Sequence, residues 1–173
     1  MRAWLALGLI LPLAAWSQAG SADGIYVDAG RGGEAQAPLP EYPKPENYLP
    51  LQVSATTPFV FFVDAKSVSA GKDGVVRYSL IAKSSGGAPN ISFEGIRCSE
   101  GQFRVYAFGR SDNTWSESQM SRWQPMPADA RNAQRAVLYR DFFCSAGGII
   151  ATAEEGVQAL RNGGHSRGPL SGY

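Results

Sequence analysis

The sequence is poor in the side chains on which most enzyme chemistry depends. Its 173 residues include one histidine, His165, and two cysteines, Cys98 and Cys144. His165 lies in a glycine-rich stretch, which cannot hold a general base in the fixed geometry that catalysis requires. A single histidine beside two paired cysteines cannot form a tetrahedral zinc site, and no glycine-rich phosphate loop occurs. We therefore predict no catalytic residue, no metal site and no cofactor.

The sequence also lacks an excess of either charge and any long apolar run. It has 16 basic and 15 acidic residues, for a formal net charge of +1. Without a basic field the chain has no electrostatic attraction for nucleic acid. No apolar run reaches the ~18 residues that a membrane-spanning helix needs. We predict neither a nucleic-acid partner nor a transmembrane span.

The N-terminus has the pattern of a secretory signal peptide. Met1 and Arg2 precede thirteen mostly apolar residues, 3–15, which are too few to cross a bilayer. Small residues then lead to Ala19, where we predict cleavage, with Ala22 as the alternative site. An amphipathic or buried N-terminal helix is the other interpretation of residues 1–19. The mature chain would be formally neutral, and we predict that it is periplasmic or associated with the cell envelope.

The two cysteines predict a disulfide. In an oxidising compartment an isolated pair such as Cys98 and Cys144 most simply forms a bond. A redox pair would normally have the spacing Cys-x-x-Cys, and a thiol nucleophile would need a nearby histidine. The sequence has neither feature, so the structural disulfide is the favoured interpretation.

The mature chain divides into an extended lead-in, one globular domain and a tail. Six prolines in residues 20–58 disfavour helix and central strand, so this lead-in is interpreted as a linker or wrapping arm, or alternatively as a docking peptide. Residues 59–162 form the predicted domain, and residues 163–173 a flexible Gly/Ser tail.

Within the domain, hydrophobic alternation and short connections predict an antiparallel meander. A strand at residues 59–63 leads to the Asp73-Gly74 turn, and strands at 75–83, 91–98 and 102–108 follow. Residues 109–127 are predicted to be irregular. Two covering helices are predicted: one from Asp129 toward Tyr139, whose end at residues 138–144 could equally be a strand, and one after the capping box at Thr152. The fold class is therefore α+β, with four or more strands, two helices and one disulfide.

The polar stretch after the fourth strand is the candidate binding surface. It carries two tryptophans with flanking arginines and a carboxylate, and such residues on a loop are typical of binding surfaces. The candidate residues are Arg110, Asp112, Trp115, Arg122 and Trp123. The alternative is that both tryptophans close the open face of a small sheet. Arg77, Arg97 and Arg104 are interpreted as solvated strand faces.

Carboxylate chemistry remains an open alternative. Asp and Glu side chains that are distant in sequence can meet in three dimensions, as in glycosidases. The carboxylates considered, without a role assigned to any of them, are Glu94, Asp112, Glu117 and Asp141. A hydrolase that acts on the cell wall would use such a pair.

Several segments in a fixed order resemble the CNP-one-like (CNP1-like) family. They include residues 75–80 (VVRYSL), 90–98 (NISFEGIRC), 106–110 (YAFGR) and 138–144 (LYRDFFC), within a resemblance that covers about residues 58–160. The family consists of small exported proteobacterial proteins without an established activity, so the resemblance implies export but no residue roles. The layout of strands and cysteines is also distantly similar to that of surface-adhesin protein E.

These observations favour a non-catalytic binding or interaction module of the periplasm or envelope. Its partner would be an envelope protein or a cell-wall ligand. The alternatives are the cell-wall hydrolase and a purely structural envelope protein.

Overall fold

The computed structural model describes residues 34, 38–54, 57–127, 133–145 and 148–164. The predicted signal peptide at residues 1–19, the start of the first predicted helix at Asp129, and His165 lie outside the described residues.

The described residues form one antiparallel sheet of eight strands. The order across the sheet is β1-β2-β4-β5-β6-β7, while β3 pairs with β4 and β8 pairs with β6. Sequence neighbours are thus mostly spatial neighbours, which confirms the predicted meander. The strands are β1 (Tyr48–Leu51), β2 (Phe59–Asp64), β3 (Ser69–Ala70), β4 (Val75–Ser84), β5 (Asn90–Arg97), β6 (Gln102–Gly109), β7 (Trp115–Glu117) and β8 (Gln124–Pro125).

The turn before β4 is the predicted hairpin. Gly74 has a φ of +74°, which an L side chain rarely adopts, and its N–H donates to the carbonyl of Gly71 at 3.0 Å. The turn returns the chain from β3 to β4, where Ser69 lies opposite Arg77.

The sheet is larger than the sequence pattern predicts. β1 lies within the proline-rich lead-in and is the first strand of the sheet order, where Pro50 is tolerated because an edge strand can spare an N–H donor. The prediction that residues 109–127 are irregular is wrong, since β7 and β8 both pair with β6. Both strands are too short for hydrophobic alternation to reveal them.

Two helical segments pack on one face of the sheet. α1 (Ala133–Val137) continues into a wider π-helical segment, Leu138–Phe143, so the alternative of a strand there is wrong before Cys144. α2 (Ala153–Arg161) begins at the predicted cap: the hydroxyl of Thr152 accepts from the N–H of Glu155 at 3.2 Å. A two-stranded hairpin, β9 (Cys144–Ser145) with β10 (Gly148–Ile149), joins the two segments.

The core lies between the sheet and these helical segments, on what we call the helix face. It is apolar and close-packed: a Cβ on Gly156 of α2 would lie 2.6 Å from Cδ1 of Ile150. The Cys98–Cys144 disulfide, with a Cα–Cα distance of 5.4 Å, ties the end of β5 to the end of the π-helical segment. The large residues of this core include Phe61, Tyr78, Leu80, Ile96, Phe103, Leu138, Phe142, Phe143 and Leu160.

The opposite face of the sheet is contacted by the segment that precedes β1. We call this segment, Glu34 with residues 38–47, the arm, and the sheet surface under it the arm face. Trp115 donates its indole N–H to the carbonyl of Pro40 at 2.9 Å, and Tyr42 donates its hydroxyl to the carbonyl of Arg110 at 2.8 Å. The side chain of Glu34 reaches the middle of the sheet, where the candidate site lies.

Candidate carboxylate-binding site

A gap between two arginines is built into the centre of the arm face. Arg77 of β4 lies opposite Gly95 of β5, and Gly95 lies opposite Arg104 of β6. Because adjacent cross-strand residues point to the same face, the glycine leaves a space between the two guanidinium side chains. We call Arg77, Gly95, Arg104 and Tyr106 the notch.

Tyr106 enters this space because of a β-bulge. Phe93 pairs with Ala107 and Glu94 pairs with Val105, so Tyr106 is an extra residue on β6. Its ring lies directly over Gly95: a Cβ there would be 2.5 Å from the tyrosine hydroxyl. Any larger residue at position 95 would therefore displace the tyrosine.

The notch holds the carboxylate of Glu34. Oε1 accepts from Nη2 of Arg77 at 3.1 Å and from the hydroxyl of Tyr106. Oε2 accepts from Nη1 of Arg104 at 2.8 Å and from the indole N–H of Trp123 at 3.2 Å. Each oxygen therefore has two donors, which matches its two lone pairs. The arrangement binds an ionised carboxylate with full hydrogen-bond satisfaction.

The carboxylate of Glu34 balances the formal charges of the described residues that line the site. Arg77 is 3% exposed and pairs with Asp73 at 2.6 Å as well as with Glu34. Burial acts to lower the pKa of Arg77, but its hydrogen bond to Asp73 and the charges of Asp73 and Glu34 raise it overall. Arg77, Arg104 and Asp73 together carry one positive charge, which Glu34 neutralises.

Tyr106 acts as a fixed donor. Burial, followed by the hydrogen bond to Glu34, raises the pKa of the phenol well above its usual value. The hydroxyl therefore keeps its proton and donates it to the carboxylate. Arg104 is oriented in turn by a hydrogen bond from its Nε to the hydroxyl of Ser121 at 2.8 Å.

The arm makes further contacts along the sheet edge. The rings of Tyr42 and Trp115 lie 5.4 Å apart, and Trp115 in turn lies 6.2 Å from the ring of Phe93. A Cβ on Gly109 would lie 2.8 Å from the hydroxyl of Tyr42, so this glycine lets the arm approach the sheet closely. The arm is thus held through a carboxylate, a backbone carbonyl and an aromatic ring.

The predicted binding surface is brought together only in part. Trp115 and Trp123 are half-buried and both bind the arm, and Arg110 contributes its carbonyl. Asp112 is exposed and accepts from the hydroxyl of its neighbour Thr114 at 2.6 Å, and Arg122 is exposed. That these five residues bind an external partner stays a prediction.

The interpretation of Arg77 and Arg104 as solvated is wrong. Alternation assigns them to the face opposite the core, but the arm and Tyr106 cover that face. Arg97 is also covered, since its guanidinium lies 4.2 Å from the centroid of the Trp123 ring. Glu34 shows no periodic signal, so only the register of three strands reveals the notch.

A second carboxylate is enclosed on the helix face. Glu94 is 0% exposed and binds Arg135 of α1 through two hydrogen bonds, of 2.8 and 2.7 Å. The hydroxyls of Tyr78 and Ser92 donate to it at 3.2 and 2.6 Å. With both oxygens occupied and no exposure to solvent, Glu94 cannot reach a substrate. Its role is structural.

Two further properties follow from the described part of the chain. It contains no group of three or more side chains able to hold a metal ion. None of its helices is long and apolar enough to cross a membrane.

Comparison with known proteins places the chain in a family. The "Cryptic neisserial protein 1" of Neisseria gonorrhoeae is 31% identical over 112 residues, which cover 57% of this chain and 54% of that protein. The chain thus spans about half the length of this curated relative. No solved structure matches significantly, so the likeness to surface-adhesin protein E stays a prediction. The sequence model of the CNP1-like family matches residues 30–161, which include the whole notch and Glu34. The chain belongs to the CNP1-like family.

Proposed function

We propose that this protein is exported to the periplasm or cell envelope and works there as a non-catalytic binding module. The N-terminal pattern of residues 1–19 supports export, as does the pairing of Cys98 with Cys144, which an oxidising compartment favours.

The single observation that carries the binding function is the way the arm is held. The sheet binds the arm through a built carboxylate site and two tryptophans. These are the donors and rings with which binding surfaces recognise peptides. Glu94, one of the four carboxylates considered for hydrolysis, is enclosed, which supports binding over catalysis.

Export is tested by cell fractionation. The chain is expressed in a Gram-negative host with its own N-terminus, and the intact mass of the periplasmic protein is measured. We expect a mass that corresponds to loss of residues 1–19. Retention of the full-length chain in the cytoplasm would contradict the localisation.

The binding function is tested by photo-crosslinking in the native periplasm. Crosslinkers are placed at position 116 within β7 and at positions 111 and 119 on either side of it, and adducts are identified by mass spectrometry. We expect a discrete adduct that Trp123→Phe weakens, because this change removes one donor to the site and leaves the ring. Arg140→Ala, on the exposed side of the π-helical segment, is the matched control and should leave the adduct intact. An adduct insensitive to Trp123→Phe would count against this surface.

A further inference from the structure

We infer that the notch is a receptor site for the carboxylate of an extended acidic peptide, and that Glu34 of the arm is its resident competitor. This deepens the proposed binding function and rests on it. The inference names the ligand class and identifies the chain's own segment that occludes the site.

The ligand class follows from the donors. Four donors point at two oxygens, two donors to each. A planar carboxylate matches this pattern, whereas a tetrahedral phosphate would present further oxygens for which the site provides no partner among these donors. Without Glu34 the site carries one positive charge, which one carboxylate neutralises.

The arm qualifies as a competitor because the described part of it reaches the site through the side chain of Glu34. Glu34 is 43 residues from Arg77, 70 from Arg104, 72 from Tyr106 and 89 from Trp123 along the chain. It belongs to none of the strands that form the notch, and its side chain is 11% exposed. An intramolecular ligand has a high effective concentration, so a free peptide binds weakly until that ligand is weakened.

The arm also shows what the rest of the peptide requires. Pro40, six residues after Glu34, presents its carbonyl to Trp115, and Tyr42 packs its ring on the same tryptophan. A suitable ligand is an acidic residue followed by an extended, proline-containing segment with an aromatic residue. Such a ligand can come from the arm of a second copy or from another protein.

The test uses a fluorescent peptide and fluorescence anisotropy. The probe has the sequence of residues 30–44, GRGGEAQAPLPEYPK, and a control probe carries Gln in place of Glu34 but keeps Glu41. Both are titrated with the disulfide-bonded wild-type protein and with the Glu34→Gln variant. We expect the acidic probe to bind the Glu34→Gln variant about tenfold or more tightly than it binds wild type. We expect the Gln probe to bind that variant about tenfold more weakly than the acidic probe does.

Two variants in the Glu34→Gln background locate the binding. Trp123→Phe removes one donor and should weaken binding of the acidic probe several-fold. Arg104→Lys keeps the positive charge but removes the second donor direction of the guanidinium, so it should also weaken binding of the acidic probe. Far-UV circular dichroism confirms that each variant is folded. If Glu34→Gln binds the acidic probe no better than wild type, or binds both probes equally, the inference is wrong.

Sedimentation velocity distinguishes the two sources of ligand. If the ligand is the arm of a second copy, a mixture of wild type and Glu34→Gln should form a heterodimer, and the acidic probe should dissociate it. If it belongs to another protein, the mixture stays monomeric, and the probe, added before irradiation, lowers the yield of the photo-crosslinked partner adduct. An adduct whose yield the probe does not lower would retain the binding function and overturn the carboxylate site.

Discussion

On each face of the sheet, one carboxylate accepts four hydrogen bonds from the described residues. Glu94 on the helix face accepts two from Arg135, one from Tyr78 and one from Ser92. On the arm face, Glu34 likewise accepts four, from two arginines, a tyrosine and a tryptophan. Hydrogen-bond satisfaction alone therefore does not distinguish a structural carboxylate from a ligand-like one.

The two carboxylates differ in the element to which they belong and in their exposure to solvent. Glu94 is part of β5 and is fully buried, so it cannot leave without unfolding the sheet. Glu34 belongs to the arm, and its departure would expose a site that the sheet still holds together. The first carboxylate locks a helix to the sheet, and the second occupies a site that another carboxylate could fill.

Breaking the ion pair between Glu94 and Arg135 on the helix face should cause the largest loss of stability. Glu94→Gln keeps the shape of the side chain but removes the negative charge that pairs with Arg135. We expect the free energy of unfolding to fall by about 3–5 kcal/mol, measured by urea denaturation. Asp141→Asn is the control, because its partner Arg140 is 65% exposed and such pairs contribute about 0–1 kcal/mol. Equal losses in the two variants would refute the distinction.

Removing the disulfide should cause the second-largest loss of stability and leave the arm face unchanged. Replacing Cys98 and Cys144 together with serine frees a loop of 46 residues, for an expected loss of about 2–4 kcal/mol. The bond joins β5 to the segment that carries the helix-face core. The indole N–H signals of Trp115 and Trp123 in ¹⁵N NMR spectra should therefore stay at their wild-type positions. Shifts of both signals would show that the two faces are coupled.

The sequence pattern predicts the helix face far better than the arm face. Alternation in residues 75–83 places Val76, Tyr78 and Leu80 on the core side, and the capping box at Thr152 locates α2. Both signals are local and periodic. Both depend on the burial of apolar surface, and apolar residues can be recognised directly in the sequence.

The arm site escapes prediction because its signals are neither local nor apolar. Arg77, Gly95 and Arg104 become neighbours only through the register of β4, β5 and β6, and the bulge at Tyr106 alters that register. Glu34 lies in a proline- and glycine-rich segment with no periodicity. The two tryptophans were the one readable signal, and both contact the arm.

Weakening the contact between the arm and the notch should lower the free energy of unfolding less than either change on the helix face. Glu34→Gln removes the charge that neutralises the notch, but Asp73 still balances Arg77 and water can reach the site. We expect a loss of about 1–2 kcal/mol in urea denaturation, with the indole N–H signal of Trp123 moving most. Glu41→Gln, on the same arm but exposed, is the matched control and should change neither quantity. A loss as large as that of Glu94→Gln would make the arm an integral part of the fold.

Another buried carboxyl gives the smallest expected effect and tests the role of the arginine partners of Glu34 and Glu94. Asp64, at the end of β2, is buried, and its Oδ1 has no hydrogen-bond partner among the described residues. Burial raises the pKa of Asp64, although hydrogen bonds from Lys66 and Ser67 oppose the shift. Its protonated form therefore favours folding: the contribution is full below the unfolded pKa of about 4 and is lost as pH rises through the higher folded pKa.

Asp64→Asn, which is neutral at every pH, should therefore be more stable than wild type near pH 7, by less than about 1 kcal/mol, and the difference should vanish below about pH 4. Thermal unfolding across this range measures it. Asp112→Asn is the control of opposite sign, because hydrogen bonds from Thr114 lower the pKa of Asp112 and its contribution is lost on acidification. If Asp64→Asn is instead less stable than wild type at neutral pH, the ionised carboxylate is well accommodated at this position. Arginine partners would then not be what distinguishes Glu34 and Glu94 from other buried carboxyls.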